Sequence, residues 1–163
     1  MGEGLHIIVL VKQVPDIERV RFNVEEGRID RSSAPAETNP FDLNALETAV
    51  QLKEKMGGLV TAISMGPPQA ESSLRDALAR GADRAILLTD RRFAGADTLA
   101  TSYTLAMAIR RLGAFDLIVC DEKTVDGDNI YLACNSTALN TRSWYNAGYC
   151  SVLRLPIDAL DNL

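Results

Sequence analysis

The chain has 163 residues, 47% of them apolar and 24% charged, with a formal net charge of −5 and a pI near 4.9. That length supports one hydrophobic core without disulfide or metal staples, and the composition argues against both disorder and membrane embedding. The acidity argues against a broad cationic surface for nucleic acid or anionic lipid, and the longest apolar run, Leu5 to Val11, is far too short to span a bilayer.

Leu5-His6-Ile7-Ile8-Val9-Leu10-Val11 is nearly continuous in aliphatic residues, the pattern of a strand buried on both faces of a parallel sheet. Arg19 to Val24 alternates polar with apolar, Glu25-Glu26-Gly27 turns, and Arg28-Ile29-Asp30 returns, which predicts a small hairpin excursion. Asn39-Pro40 predicts a helix start, with the Asn side chain accepting from orphan amides and Pro presetting the first helical dihedral. The helix carries Ala45, Leu46, Ala49, Val50, Leu52 and Met56 on one face and ends at Gly57-Gly58.

Leu59 to Met65 predicts the second strand of the sheet, and Gly66-Pro67-Pro68 turns into a helix bearing Leu74, Ala77 and Leu78 that Gly81 stops. Ala85 to Leu88 predicts a third strand. Asp97 caps a third helix through Leu99, Tyr103, Ala106, Met107 and Ile109, with Arg110 and Arg111 at its negative end. Gly113 closes it before a fourth strand, Phe115 to Cys120. Strands and helices alternating with short connections imply an α/β fold with a parallel sheet. Ligands of such sheets sit beyond the carboxyl ends of the strands where strand order reverses, so neighbouring first and fourth strands would place a crevice between their exit loops.

After position 128 only Arg142, Arg154, Asp158 and Asp161 are charged, four aromatics (Tyr131, Trp144, Tyr145, Tyr149) cluster, and the helix expected after the fourth strand is hard to find. The division expected is a nucleotide-binding α/β domain over residues 1–128 and an atypical tail over 129–163 that packs on or completes it.

Chemistry-bearing side chains are few. Cys120, Cys134 and Cys150 are too widely spaced for a disulfide framework or a zinc pattern, and the single histidine, His6, lies inside an apolar strand, where a core or sheet-edge role is expected. There is no glycine-rich dinucleotide fingerprint after the first strand, no Walker lysine motif and no nucleophile elbow. The Asp-Gly-Asp of residues 126–128 lacks the rest of a calcium loop. Arg91-Arg92 and Arg110-Arg111 read as solvated helix flanks, and Asn135-Ser136-Thr137 as a chance glycosylation match.

Three loops could serve a nucleotide. Cys120 to Asp128 leaves a buried strand as a polar loop whose turn amides could hold phosphate while Asp126 or Asp128 meets a hydroxyl; a solvated turn is its plain alternative. Asn39-Pro40-Phe41-Asp42 offers a helix N-terminus, and Met65-Gly66-Pro67-Pro68 allows a planar base to approach the backbone. Lys12, Lys123 and backbone amides would have to offset the carboxylates around any phosphate.

Val11-Lys12-Gln13-Val14-Pro15-Asp16, Asn39-Pro40-Phe41-Asp42, Ala79-Arg80-Gly81-Ala82-Asp83-Arg84 and Glu122-Lys123-Thr124-Val125-Asp126-Gly127-Asp128 together resemble the electron transfer flavoprotein β subunit, over about residues 5 to 128. The resemblance implies a three-layer parallel-sheet sandwich, Rossmann-like and close to the adenine-nucleotide α-hydrolase group. It implies AMP or a second FAD as cofactor, slightly favouring FAD. It implies an electron carrier subunit, without catalytic residues of its own, in a cytoplasmic heterodimer with an electron transfer flavoprotein α subunit, serving acyl-CoA or other dehydrogenases. Carried over by position, the cofactor site comprises Leu10, Asn39, Pro40, Phe41, Asp42, Met65, Lys123, Thr124, Val125, Asp126, Gly127, Asp128 and Asn129.

The resemblance stops where a small hydroxyl residue, a Gln and a Gly-Pro turn would follow Asp128; Asn129-Ile130-Tyr131 stands there instead, and Asp121 replaces a usual glycine. The later third of a family member, with its partner-recognition loop and C-terminal arm, has no counterpart here. The expectation for the tail is a shifted reading frame, an artificial junction or a misassigned stretch, with weakened phosphate binding and docking. Two alternatives from other classes are a stand-alone adenine-nucleotide sensor of universal-stress-protein type and a truncated scaffold with a dead site.

Overall fold

A computed structural model describes residues 4–23, 28–30, 34–121, 124–125, 143–146 and 150–154. The main sheet is built from β1 (Leu5–Leu10), β6 (Gly58–Met65), β7 (Arg84–Leu88), β8 (Leu117–Asp121), β9 (Ser143–Asn146) and β10 (Cys150–Arg154). Two short ribbons precede the first helix: β2 (Gln13–Pro15) pairs antiparallel with β5 (Ala36–Thr38), and β3 (Arg21–Asn23) with β4 (Arg28–Asp30). The helices are α1 (Pro40–Met56), α2 (Glu71–Ala79) and α3 (Thr98–Arg111).

Strand order in the main sheet is β7-β6-β1-β8-β10-β9. The first four are mutually parallel, and β10 runs antiparallel to both β8 and β9. β1 is the hub, paired from Leu5↔Gly58 to Leu10↔Ile63 on one side and from Ile7↔Leu117 to Val9↔Val119 on the other. From β1 the chain steps outward through β6 to β7, then returns to the far side of β1 as β8. Strand order therefore reverses between β1 and β8, and their carboxyl ends adjoin.

Side-chain alternation along β1 explains the layers. Ile7, Val9 and Val11 pack with Ala45, Leu46 and Ala49 of α1 and Leu74 and Ala77 of α2, while Ile8 and Leu10 pack on the opposite face with Leu105, Ala106 and Ile109 of α3. Ile7, Ile8 and Val9 are fully buried, each contributing roughly 1.5–3 kcal/mol of transfer free energy. The result is a three-layer α/β sandwich.

The first helix ends at Gly57, whose φ of 75° only glycine adopts freely and whose amide donates to Lys53 O at 2.8 Å. Gly58 follows at φ 123°, where a Cβ would overlap the Leu5 carbonyl. The Gly81-Ala82-Asp83 segment is a structural clip: Lys53 Nζ donates to Gly81 O (2.7 Å) and Asp83 (3.1 Å), and Asp83 Oδ2 accepts from Val60 N–H (2.7 Å). Partial burial raises the Asp83 pKa, but these donors outweigh it and hold the carboxyl below 3.8.

Several sequence expectations shift. Asn39 does not cap α1 through its side chain, although Pro40 does occupy the first turn. Met56 and Leu78 are exposed. On α3 the buried face is Ser102, Leu105, Ala106 and Ile109, while Leu99, Tyr103 and Met107, expected inward, form an exposed i, i+4, i+8 row. Leu99, Ala106 and Ile109 cannot share one narrow stripe with Tyr103 and Met107 at 100° per residue; the sheet accepts the smaller, more continuous side. Asp97 does cap α3, accepting from Ala100 N–H at 2.8 Å. His6 lies near the start of the central strand rather than at a sheet edge: its Nδ1 is 2.9 Å from Ala114 O and its Nε2 3.0 Å from Thr61 Oγ1.

Candidate functional site

At its carboxyl end β1 hands its last amide to β6, with Val11 N–H donating to Ile63 O (2.9 Å), and then turns at Lys12 toward α1. Lys12 O accepts from Asn39 N–H at 2.8 Å, and Lys12 N–H donates to Asp42 Oδ2 at 2.7 Å. Asn39 Nδ2 donates to Asp42 Oδ1 (2.9 Å), and Asn39 Oδ1 accepts from Val125 N–H (3.3 Å) beyond β8. Lys12 Nζ lies 3.5 Å from Thr124 Oγ1. The exits of β1 and β8 and the first turn of α1 are thereby tied together.

Asn39 and Asp42 are 0% and 2% exposed. Burial pushes the Asp42 carboxyl up to about 7, against the lowering bonds from Asn39 and Lys12, with nearby Asp121 adding to the rise. The polar atoms of both side chains are engaged with this chain's own groups.

Beside this hydrogen-bonded framework, sharing Lys12 with it and lying over the exits of β6 and β7, is a cavity of about 900 Å³. Lys12, Met65, Gly66, Pro67 and Pro68 form one wall, and Thr89 to Arg91, Phe93 to Thr98, and Thr101 form the other. The turn of Gly66-Pro67-Pro68 is pinned to the next strand by Gly66 N–H donating to Leu88 O (3.0 Å). The opposite wall begins as a short 3₁₀ turn, Arg91–Phe93, capped by Asp90, whose carboxyl is held down to about 2 by bonds from Arg92. The donor set is mixed: an ammonium and a guanidinium from Lys12 and Arg91, threonine hydroxyls, and flat apolar surface from Met65, the prolines and Phe93. Cations beside an apolar slot of that size suit a phosphorylated aromatic ligand.

Of the residues expected at the site, Asn39, Asp42, Thr124 and Val125 converge at the mouth, and Met65 lines the cavity. Pro40 and Phe41 open α1 beside them. The Leu10 side chain belongs to the core under α3, with Ile63, Leu105 and Ile118. Lys123, Asp126, Gly127, Asp128 and Asn129 lie outside the described residues. The wall from Thr89 to Thr101 was missed by reading Arg91-Arg92 as a solvated flank. Its signal was positional, since this loop also leaves the carboxyl end of a parallel strand.

A family model described as electron transfer flavoprotein domain matches residues 27–142. Protein FixA of Azorhizobium caulinodans is 52% identical over 128 residues, covering 76% of this chain and 46% of the relative. The electron transfer flavoprotein subunit beta of Thermoanaerobacterium thermosaccharolyticum is 52% identical over 124 residues, and that of Clostridium acetobutylicum 51% over 124, each covering 76% of this chain and 47% or 48% of the relative. The chain spans about half the length of the curated relatives it matches. The family match, the pairwise identities and the parallel sheet with its reversal beside β1 agree: the chain belongs to the electron transfer flavoprotein family, as a member of the β-subunit type that includes FixA.

Proposed function

We propose that this chain holds an adenine nucleotide, AMP or a second FAD, at the mouth between β1 and β8, and that it works as an electron carrier subunit beside an electron transfer flavoprotein α subunit. On this reading residues 1–128 form the nucleotide-binding domain, residues 129–163 pack on or complete it, and the partners are acyl-CoA or other dehydrogenases on one side and an electron acceptor on the other. The observation that carries it is the cavity of about 900 Å³ at the carboxyl ends of the parallel strands, walled by Lys12 at the β1 exit and by the loops that leave β6 and β7, beside the strand-order reversal. Lys12 and Arg91 would meet phosphate oxygens, and Gly66-Pro67-Pro68 and Met65 would cover the flat face of a base. A bound FAD would supply the ability to take up and release electrons; AMP would supply structure only. This chain's residues bind, orient and exclude water, which is why the reading assigns them no catalytic step.

Denaturing the purified protein and identifying the released small molecule tests the proposal. FAD or AMP, near one per chain, is the expected result. Release of ATP would favour a stand-alone sensor, and release of nothing, with no uptake of added AMP or FAD, would favour a scaffold with a dead site.

A further inference from the structure

We propose that the side chains of Asp42 and Asn39 are positioning groups: a buried relay, engaged with this chain's own atoms, that fixes the exit of β8 against the exit of β1 and so sets the shape of the crevice mouth. Three observations lead to it. Neither side chain is open to the crevice, at 2% and 0% exposed. Both Asp42 oxygens accept from this chain's own groups, Oδ1 from Asn39 Nδ2 at 2.9 Å and Oδ2 from Lys12 N–H at 2.7 Å. Both ends of the Asn39 amide are engaged as well, Nδ2 with Asp42 and Oδ1 with Val125 N–H at 3.3 Å.

The bonds form one directed chain across three elements. A backbone donor at the β1 exit meets a carboxylate on α1; that carboxylate orients an amide at the helix start; the amide accepts the backbone donor at the β8 exit, 86 positions along the sequence from Asn39. An amide side chain can rotate to present either end. With the carboxylate bound to its N–H₂ end, its carbonyl is left to face Val125. Asp42 thus dictates which way Asn39 points, and Asn39 dictates where residue 125 sits. Removing either partner leaves buried polar groups unpaired and frees the β8 exit. The relay's effect on ligand binding rests on the nucleotide reading above; its effect on the loop does not.

Reversing the pair tests the relay. In the double variant Asn39→Asp, Asp42→Asn the amide at 42 can donate to the carboxylate at 39 while its carbonyl accepts from Lys12 N–H, and the carboxylate at 39 accepts from Val125 N–H. The three bonds of the relay are kept, and the pair still holds one carboxyl and one amide. Amide hydrogen exchange is measured on the ligand-free full chain for the wild type, each single variant and the double variant, with Val9 as the core reference. Each single substitution should speed exchange at Val125 about tenfold or more with Val9 unchanged, and the double variant should restore Val125 to within about threefold of wild type. Wild-type exchange in the singles, or a double variant that exchanges as fast as the singles, overturns the relay. Asn39→Ala and Asp42→Ala serve as further single variants if they keep Val9 protected.

Titration of the same proteins with AMP and FAD separates the two claims. A wild type that binds neither defeats the nucleotide reading and leaves the exchange result to decide the relay. A wild type that binds, with singles weakened about tenfold and the double restored, supports both. Singles that bind like wild type despite a freed Val125 overturn the claim that the relay shapes the mouth.

Discussion

A carboxylate that is 2% exposed must be held by donors, and Asp42 is held by two at 2.7 and 2.9 Å, yet burial still pushes it up to about 7. The sign of its effect on stability follows by linkage. Unfolded, this carboxyl ionises above 3.8; folded, it keeps its proton up to about 7, so the folded chain binds more protons between those values. Its contribution is greatest below pH 4 and is lost as pH rises to 7, at about 1.4 kcal/mol per pH unit at most. Urea unfolding at pH 5, 6, 7 and 8 should show the stability of wild type falling relative to Asp42→Asn up to pH 7 and running parallel above it. Parallel curves throughout would mean Asp42 is ionised in the folded chain across the whole range. Asp83 and Asp90 titrate below 3.8 and stay outside this window. Asn39→Ala should weaken AMP or FAD affinity roughly tenfold, whereas Arg92→Ala, whose partner is the exposed Asp90, should change it less than twofold in a calorimetric titration. Asn39 was legible as a helix-start residue, but its use was not: capping and cross-loop bonding draw on the same side chain, and only the tertiary neighbour Val125 distinguishes them.

At the level of elements, turn chemistry made the boundaries readable. Gly57, Pro40 and Asp97 sit where helix ends need a left-handed residue, a preset dihedral and an acceptor for orphan amides. The hairpin of β3 and β4 was legible from alternation around Glu25-Glu26-Gly27, whose own residues lie outside the described set. The β2–β5 ribbon was not, because its two strands lie far apart in the sequence with no single turn joining them, and Pro15 argues against a strand until its edge position is known. The inward face of α3 was misjudged because alanine and serine, which pack closest to the sheet, weigh little in a hydrophobic pattern. Gly81 has φ 112°, and a Cβ there would stand 3.1 Å from Val50 Cγ1. Gly81→Ala should therefore cost roughly 1–2 kcal/mol by thermal or urea unfolding. Asp97→Ala should cost about 1 kcal/mol by losing the bond to Ala100 N–H. A Gly81→Ala protein as stable as wild type would show that α2 and β7 can shift together to relieve the strain.

For the whole molecule, the continuous apolar run of β1 against two parallel neighbours made the architecture legible, since only a central strand buries both faces. The wall contributed by Thr89 to Thr101 was not, because nothing in its composition separates a cavity lining from a solvated loop. The β10 and β9 pairing, which extends the sheet antiparallel past β8, was equally hidden in a segment poor in charge and period. The family model continues to residue 142, beyond the motifs that end at Asp128. At 17.7 kDa the chain suits backbone-resolved titration by nuclear magnetic resonance. Adding AMP or FAD to nucleotide-stripped protein should shift amide signals at Lys12, Met65, Gly66, Thr89 to Thr98 and, at the β8 exit, Thr124 and Val125, while leaving the far ends of β1 and β6 near Leu5 and Gly58 unmoved. Saturation with no shift at those positions, or shifts confined to the opposite edge of the sheet, would contradict a nucleotide seated over the β1–β8 junction.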